Sequence, residues 1–556
     1  MRGDVAEAEL WTRAGVLVRA HNIESDDDAG PLFDNPPADS DPEILKRLRQ
    51  MYEAGGWVLV ESAIADLPAD LRWLFESGAV TIEQLAAIHG TLGITSAADI
   101  AAAVREERVR SLPGLNSDVE AAVGAALPDL RARIPRIPLG RAVSVAEMII
   151  EPLRDVPGVA WAVPVGSLRR GQDMVGDIEI LAPTDQPAAA IDAMLALPPS
   201  SRVLHRSERR LYVLADRVQI GLRLPHPADA AGQLLYLTGS RAHVEALQAL
   251  AAARGLTLRA DGLHAGDGTR LPAATETEIY QALGLPFIPP EIRNGDEEIE
   301  RARRGDLPAL VSRDEIRGDL HMHSLWSDGH DPIEAMVEGC RALGYEYMAM
   351  TDHSQHSAAA RNLTLDGVKK QADEIAQLRE RFPDITILHG CEVDILPDGK
   401  LDFPDKVLEP LDIVLASLHE RAGHNPDQLM NRYRSAMKHP LVTIITHPTN
   451  RIVPTRRGYD LDYDRLFGMA VETGTVVEVD GSPSHLDLDG ALARRAVAAG
   501  ATVSIDSDCH RSEMLGRQME LGIMTARRGW VEPRHVLNTR SLEEVRSAIA
   551  VKRGGR

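Results

Sequence analysis

In the stretch GDLHMHSLWSDGH, His321 and His323 stand two apart and Asp328 follows in a Gly-containing turn. Imidazole together with carboxylate is the donor set that Zn2+, Mn2+ and Fe2+ take, whereas Mg2+ and Ca2+ favour oxygen alone. The same residue types recur downstream. His353 closes YMAMTDH, Glu392 closes ITILHGCE, His419 closes DIVLASLH, His447 closes VTIITH, and Asp508 and His510 close VSIDSDCH. Six histidines and three carboxylates are too many for one ion, so two or three divalent ions sharing carboxylates and water are expected. Such clusters lower the pKa of a bound water and clamp phosphate. A lone buried histidine is more often a packing residue than a ligand. Repeated placement at the ends of apolar runs is what argues for a metal site.

Those runs are the elements that must position the donors. With DLHMH at the start and VVEVD between the fifth and last, seven short β-branched runs alternate with helical segments from Gly318 onward. Such alternation predicts βαβ units, and nearly continuous apolar runs predict strands buried on both faces. Residues i and i+2 of a strand share a side, so His321 faces with His323 and Asp508 with His510. If the strands are parallel and close into a barrel, all the run ends meet at its C-terminal face. Cys391 and Cys509 adjoin ligands, but alternation turns them away as packing residues.

The rest of the chain is less explicit. At 556 residues it exceeds one domain, and its three cysteines form no disulfide framework, which predicts a reducing cytoplasm. No apolar run is long enough to span a membrane, and MRGDVAEAEL does not read as a signal peptide. The net charge of −22 argues against a non-specific nucleic-acid coat but allows a local basic groove. Residues 24–43, rich in Asp and Pro, read as a solvated loop within an acidic, helical region 1–65. Helical periodicity runs through residues 66–130, where LPGLNSDVEAAV has the shape of half a helix-hairpin-helix with Asn116 where a second glycine is usual. Residues 131–290 mix strands and helices, 291–316 read as a linker, and 317–556 hold the seven runs.

DLHMHSLWSDG, AMTDHS, LHGCEVDILPDGKLDFPD, ASLHE, THPTN and SIDSDCH resemble the motifs of a PHP-type phosphoesterase domain, in particular the C-terminal one of bacterial family X DNA polymerases. The ending ARRGWVEPRHVLNT is similar to that subgroup too. The resemblance covers residues 317–556 and implies a multidomain α/β chain. It would carry a distorted (β/α)7 barrel, a trinuclear centre on the nine residues named above, and 3′-5′ exonuclease activity with Mn2+, or Zn2+ or Fe2+, on DNA 3′ ends or gaps in repair. VGSLRRGQDMVGDIEIL and YLTGSRAH resemble the α+β nucleotidyltransferase palm of the same family. The resemblance implies that Gly166, Ser167, Arg169 and Arg170 hold a dNTP triphosphate, that Asp177 and Glu179 hold Mg2+, and that Tyr236, Thr238, Gly239 and Ser240 contact sugar and base.

Two residues depart from that pattern. Glu179 stands where the family has Asp, and DRVQIGLRLP puts Gly221 at the third carboxylate. Loss of one such group commonly costs about 10²–10⁴ in rate. Asp216 and Asp229 are poorly placed to substitute, and Lys46, the one lysine in the first 150 residues, is no evident Schiff-base lysine. The expected function is therefore a metal-dependent phosphoesterase on DNA 3′ ends with a degenerate polymerase core. The alternatives are a small-molecule phosphatase and a still active gap-filling polymerase.

Overall fold

The computed structural model describes residues 41–42, 44–46, 71, 74–75, 78–92, 94, 100, 103–104, 107–130, 136–176, 178–196, 202–215, 218–357, 361–419 and 425–554. Asp177, Asp216 and nearly all of the acidic 24–43 stretch lie outside them. The chain forms two compact units, Met1–Ile134 and Pro135–Arg556. No helix among the described residues is long and apolar enough to cross a membrane.

In the first unit, helices α1 (Ile82–Leu92) and α2 (Ser117–Leu130) share a small core of Leu71, Leu85, Ile88, Val109, Leu112 and Val123. Gly114 takes φ +78° in the hairpin before α2. The Asn116 side chain accepts from the N–H groups of Asp118 and Val119, each at 3.0 Å. It thus caps α2 with an oxygen, satisfying N–H groups that a hairpin of this type otherwise offers to a phosphate. Glu120 is buried and takes the Arg110 side chain at 2.5 Å.

The second unit opens with α3 (Leu139–Arg154). Its apolar residues at 139, 142, 146, 149 and 153 follow helical spacing and bury one stripe on a five-stranded sheet. The sheet comprises β1 (Val163–Pro164), β2 (Ile178–Leu181), β3 (Arg202–Arg206), β4 (Arg210–Ala215) and β5 (Val218–Arg223), in the order β1-β2-β5-β4-β3. The short helix α4 (Gly166–Arg169) leaves β1. Then α5 (Ala230–Thr238), α6 (Arg241–Ala252) and α7 (Glu276–Ala282) build a separate core around Leu235, Leu247 and Tyr280.

Residues 291–316 are not an open linker. Arg293 and Glu298 are fully buried, and Glu298–Arg304 is helical. Arg293 donates to Glu276 and Glu298 accepts from His243, so the charge that made the segment look like a spacer is paired inside the protein.

The remaining strands are β6 (Gly318–Asp319), β7 (Tyr347–Met350), β8 (Thr386–Asp394), β9 (Ile413–Ser417), β10 (Ile444–Ile445), β11 (Val476–Asp480) and β12 (Val503–Asp506). They form one parallel sheet in sequence order, as the seven runs predict. The crossovers carry α8 (Ile333–Ala342), α9 (Leu365–Arg381), α10 (Pro426–Lys438), α11 (Tyr463–Thr473) and α12 (Gly490–Ala498), while α13 (Leu515–Arg528) and α14 (Leu542–Lys552) follow β12. Alternation sorts the side chains. Tyr347, Ala349, Leu388, Ile413, Leu415 and Ile444 join one core with Val545 and Ile549 of α14, while Met348, Met350, Val414, Ala416 and Ile445 join the layer under the helices. Cys391 and Cys509 are buried in that layer, Cys391 as strand alternation requires and Cys509 just past the end of β12.

The barrel closes at the β6/β12 seam. Met322 and Cys509 form a parallel bridge, with the His323 N–H donating to Cys509 O at 2.9 Å. Below it, the buried Asn538 side chain donates to Gly318 O and Ile505 O and accepts from Ile505 N–H, replacing a missing ladder. The segment from α3 to β2 docks on the barrel through α13 and the loops after β10 and β11: Arg528 and Arg451 hold Asp173, Arg517 holds Glu147, and Leu521 and Leu486 enter the core beneath α3.

Replacing Asn538 with Ala removes three buried hydrogen bonds and strands three backbone groups, the carbonyls of Gly318 and Ile505 and the Ile505 N–H. The expected loss is about 3 kcal/mol in unfolding free energy, read from urea titration of the full chain.

Candidate metal centre

Glu392 is the last-but-two residue of β8 and points into the barrel, with only 1% of its surface exposed. Its Oε2 lies 2.9 Å from His353 Nδ1, 3.4 Å from His321 Nε2 and 3.7 Å from His323 Nε2. Its Oε1 lies 2.9 Å from His447 Nε2 and 3.5 Å from His419 Nε2, and accepts from the Thr446 hydroxyl at 2.9 Å. One carboxylate therefore faces five imidazoles, divided between its two oxygens. Asp508 Oδ1 reaches His323 Nε2 at 3.0 Å and His321 Nε2 at 3.6 Å. Asp328 Oδ1 sits 3.5 Å from His353 and 3.3 Å from His510. The nine residues singled out from the sequence thus converge at one end of the barrel.

Strand alternation does not by itself deliver them. His447 has φ +26° and Asp508 φ +48°, left-handed values that non-glycine residues seldom adopt. Both lie past the ends of their strands, so the expected strand-face pairing of Asp508 with His510 is replaced by a turn in which His510 Nδ1 contacts Asp508 O at 3.0 Å. Backbone strain of this kind persists where surrounding contacts impose it, and it gathers at functional sites.

Four further residues complete the site, and the sequence reading did not single them out. Glu478 of β11 accepts from His321 Nδ1 at 2.7 Å and from the His447 backbone N–H at 2.7 Å. Asp394 of β8 accepts from His419 Nδ1 at 2.7 Å. These bonds hold a proton on Nδ1 and aim the Nε2 atoms of His321 and His419 at Glu392, the carboxylate–histidine relay typical of metal ligands. Asp480 similarly accepts from His485 Nδ1 at 2.9 Å, and His485 lies 3.6 Å from Asp508. The signal was present: VVEVD was the one run whose end had been given no role, and Asp394 stands two residues beyond Glu392 on the same face.

The loop carrying Asp328 is held from behind. The buried Asp352 carboxylate accepts from the N–H and hydroxyl of both Ser324 and Ser327 and from the Gln371 amide. His353, the next residue, is fixed by the same scaffold.

The charge balance is unusual. Among the described residues, Glu392, Asp394, Glu478, Asp480 and Asp508 meet imidazoles and no lysine or arginine. Burial works against charging His321, yet Glu478, Glu392 and Asp508 hold its pKa well above the ordinary value. Burial raises Glu392, and His353, His321 and His419 more than reverse it, to well below the usual carboxylate range. His323, by contrast, is pushed down to about 4 by burial and by His353 and His510. Its Nε2 lies 3.1 Å from His321 Nε2, and the buried His323 Nδ1, His447 Nδ1 and Glu392 Oε2 have no hydrogen-bond partner among the described residues. Lone pairs and carboxylates that face one another in this way need cations between them. Donor atoms lie within 4.8 Å of one another in four groups: His323, Asp328, His353 and His510; His321, His323 and Asp508; His353, Glu392 and His419; and Asp480, His485 and Asp508. These residues could hold several divalent ions.

The nucleotidyltransferase-like residues are differently engaged. Gly166 (φ +66°) starts α4 as a tight turn. Arg169, expected on a triphosphate, gives both terminal nitrogens to Glu276 at 2.7 and 3.0 Å and one to Thr238 Oγ1 at 2.8 Å. Arg170 donates to Thr238 O at 2.7 Å. Ser240 caps α6 and donates to Asn294 O, Gly239 packs against His243, and Tyr236 is half-buried. Glu179 takes the Arg223 guanidinium at 2.7 Å and the Tyr212 hydroxyl at 3.1 Å. Gly221 lies opposite both Glu179 and Tyr212, and a Cβ there would meet Tyr212 Cε1 at 2.8 Å. The tyrosine ring fills the space that a side chain at position 221 would need. Asp229 is bound to Arg270.

If the relay orients ligands, Glu478→Gln should leave the fold intact and weaken divalent-ion affinity about 10–100-fold, measured by chelator competition on the full chain.

Comparison with known proteins places these features. The DNA polymerase beta thumb family matches residues 233–294 and the PHP domain family residues 319–449. A DNA polymerase/3'-5' exonuclease PolX of Bacillus subtilis (strain 168) is 34% identical over 506 residues, covering 90% of this chain and 88% of the relative. A probable phosphatase of Thermoanaerobacter sp. (strain X514) is 30% identical over 40% of this chain and 89% of its own length. A crystal structure of Leishmania infantum polymerase beta aligns at a TM-score of 0.27 and 17% identity, covering 38% of this chain and 92% of that one, a superposition too loose to bear on the fold. Similarity to the Bacillus protein along nine-tenths of the sequence, with a polymerase beta thumb followed by a PHP barrel, means that the chain belongs to the PolX family of DNA polymerase/3'-5' exonucleases.

Proposed function

We propose that this protein is a metal-dependent phosphodiesterase that removes nucleotides from DNA 3′ ends during repair, and that its polymerase core no longer synthesises DNA. The observation that carries the reading is the gathering of His321, His323, Asp328, His353, Glu392, His419, His447, Asp508 and His510 around one barrel end, with Glu392 at the centre. These nine are the proposed ligands, and imidazole-rich sets of this kind suit Mn2+ or Zn2+, with Fe2+ a third choice. Bound ions would supply Lewis acidity toward a phosphoryl oxygen and an activated water. The protein's own part is to orient: Glu478 and Asp394 aim imidazoles, Asp352 holds the loop of Asp328, and the barrel wall keeps the donors out of bulk water.

Loss of polymerase activity is supported by the Glu179–Arg223–Tyr212 cluster. A carboxylate paired with a guanidinium is a poor Mg2+ ligand, and Tyr212 covers the position of the third one. The small-molecule phosphatase reading draws on the Thermoanaerobacter relative, whose similarity covers 40% of this chain.

His321→Ala or Asp508→Ala should abolish Mn2+-dependent shortening of a 5′-labelled primer. Intact primers after incubation of wild-type protein with Mn2+, Zn2+, Fe2+ or Mg2+, alongside turnover of sugar or nucleotide monophosphates, would favour the phosphatase. Primer extension with dNTPs should be undetectable for wild type, and Gly221→Asp alone should not restore it because Tyr212 occupies the space. Extension by the wild-type protein would overturn the loss of polymerase activity.

A further inference from the structure

A cavity of about 420 Å³ lies between the Asp173–Met174 segment that follows α4 and the barrel rim, lined also by Thr449, Arg451, Arg456, Arg457, Tyr459, Tyr463 and Asp489. Its wall adjoins the candidate metal centre through the chain. Thr449 stands two residues after His447, and the Asn450 N–H donates to His447 O at 2.9 Å. Arg451 donates to the backbone carbonyls of His485 and Leu486, so the loop presenting His485 is tied to the same wall.

The three arginines have different duties. Arg451 is spent on Asp173 at 2.7 Å and Asp489 at 3.6 Å, and Asp173 is shared with Arg528. The acidic lining is thereby neutralised from within. Arg456 braces the loop by donating to Asn450 O at 2.9 Å. Arg457 is exposed and has no hydrogen-bonding or ionic partner among the described residues. On a chain of net charge −22, the cavity lining sets Arg451, Arg456 and Arg457 against Asp173 and Asp489, an excess of one positive charge that falls on Arg457, with two tyrosines alongside. Cationic side chains beside aromatic ones are the combination that holds single-stranded nucleic acid, by phosphate contact and base stacking.

We propose that this cavity is the subsite for the penultimate nucleotide of a DNA strand, with Arg457 on its phosphate, while the 3′-terminal nucleotide occupies the metal centre. The proposal rests on the exonuclease reading above and adds the residue that distinguishes a polynucleotide from a small ester. Arg457 acts here as a binding residue for the strand and takes no part in bond cleavage. Asp173, from the segment after α4, fixes Arg451 in this wall, so the part of the chain before the barrel shapes the subsite without any polymerase chemistry.

The test compares full-length wild type, Arg457→Ala and Arg457→Lys. Two substrates are used with Mn2+: a 5′-labelled oligonucleotide, and thymidine 5′-phosphate p-nitrophenyl ester, which has no penultimate phosphate. Binding of a 5′-fluorescein oligonucleotide is measured separately by anisotropy in EDTA across a salt series. Arg457→Ala should raise KM for the oligonucleotide about fivefold to tenfold, weaken binding similarly and lower the salt slope by about 1. Its kcat and KM on the mononucleotide ester should equal wild type, and Arg457→Lys should restore most of the binding. If wild type shortens the oligonucleotide but Arg457→Ala matches it in KM and anisotropy, the subsite is wrong and the exonuclease reading stands. If wild type hydrolyses the ester and neither shortens nor binds the oligonucleotide, the exonuclease reading fails and the subsite with it.

Discussion

A carboxylate removed from water must find positive charge, and in this barrel it finds imidazole. Glu392 is buried at the centre of the C-terminal end, touched by histidines from four other strand ends. Lysine or arginine would settle the charge permanently and leave nothing to do. Imidazoles whose Nδ1 protons are already given to Glu478 and Asp394 instead turn their Nε2 atoms, which a bound cation can deprotonate, toward the carboxylate. Such an arrangement is poor as a closed ion pair and well suited to cations. The barrel closure, the Asn538 seam and the Asp352 brace all serve to hold these mutually repelling donors at one place.

The palm-like sheet shows the reverse solution. There Glu179 is neutralised by Arg223 and capped by Tyr212, and Arg169 is consumed by Glu276. Each charge is satisfied within the fold, as in a structural core. The comparison within one molecule is informative: two sets of acids on strand faces, one left open to cations and one closed by guanidinium groups. The helical first unit follows the closed pattern too, since Asn116 caps its own helix with an oxygen.

The two parts of the second unit are built as one body. Arg451 and Arg528 share Asp173, which follows directly on the turn that begins at Gly166, and α13 presents Leu521 to the palm core on the side away from the barrel strands. The part before the barrel thus has a packing role that does not depend on its chemistry.

The sequence alone determined the seven strands, their parallel alternation with helices and the nine donors at their ends. Local periodicity and residue type carry that information directly. It also placed glycine at position 221, where the family resemblance leads one to expect a carboxylate. Tertiary structure decided which charges are open and which are closed, because pairing partners lie far apart in the chain: Glu478 with His321, Arg223 with Glu179, Arg169 with Glu276. The left-handed turns at His447 and Asp508, and the ring of Tyr212 over Gly221, likewise follow from crowding by neighbours that no spacing rule specifies. Residues 291–316 were misread as a linker for the same reason: a charged stretch looks solvated until the partners that bury it, His243 and Glu276, are brought alongside.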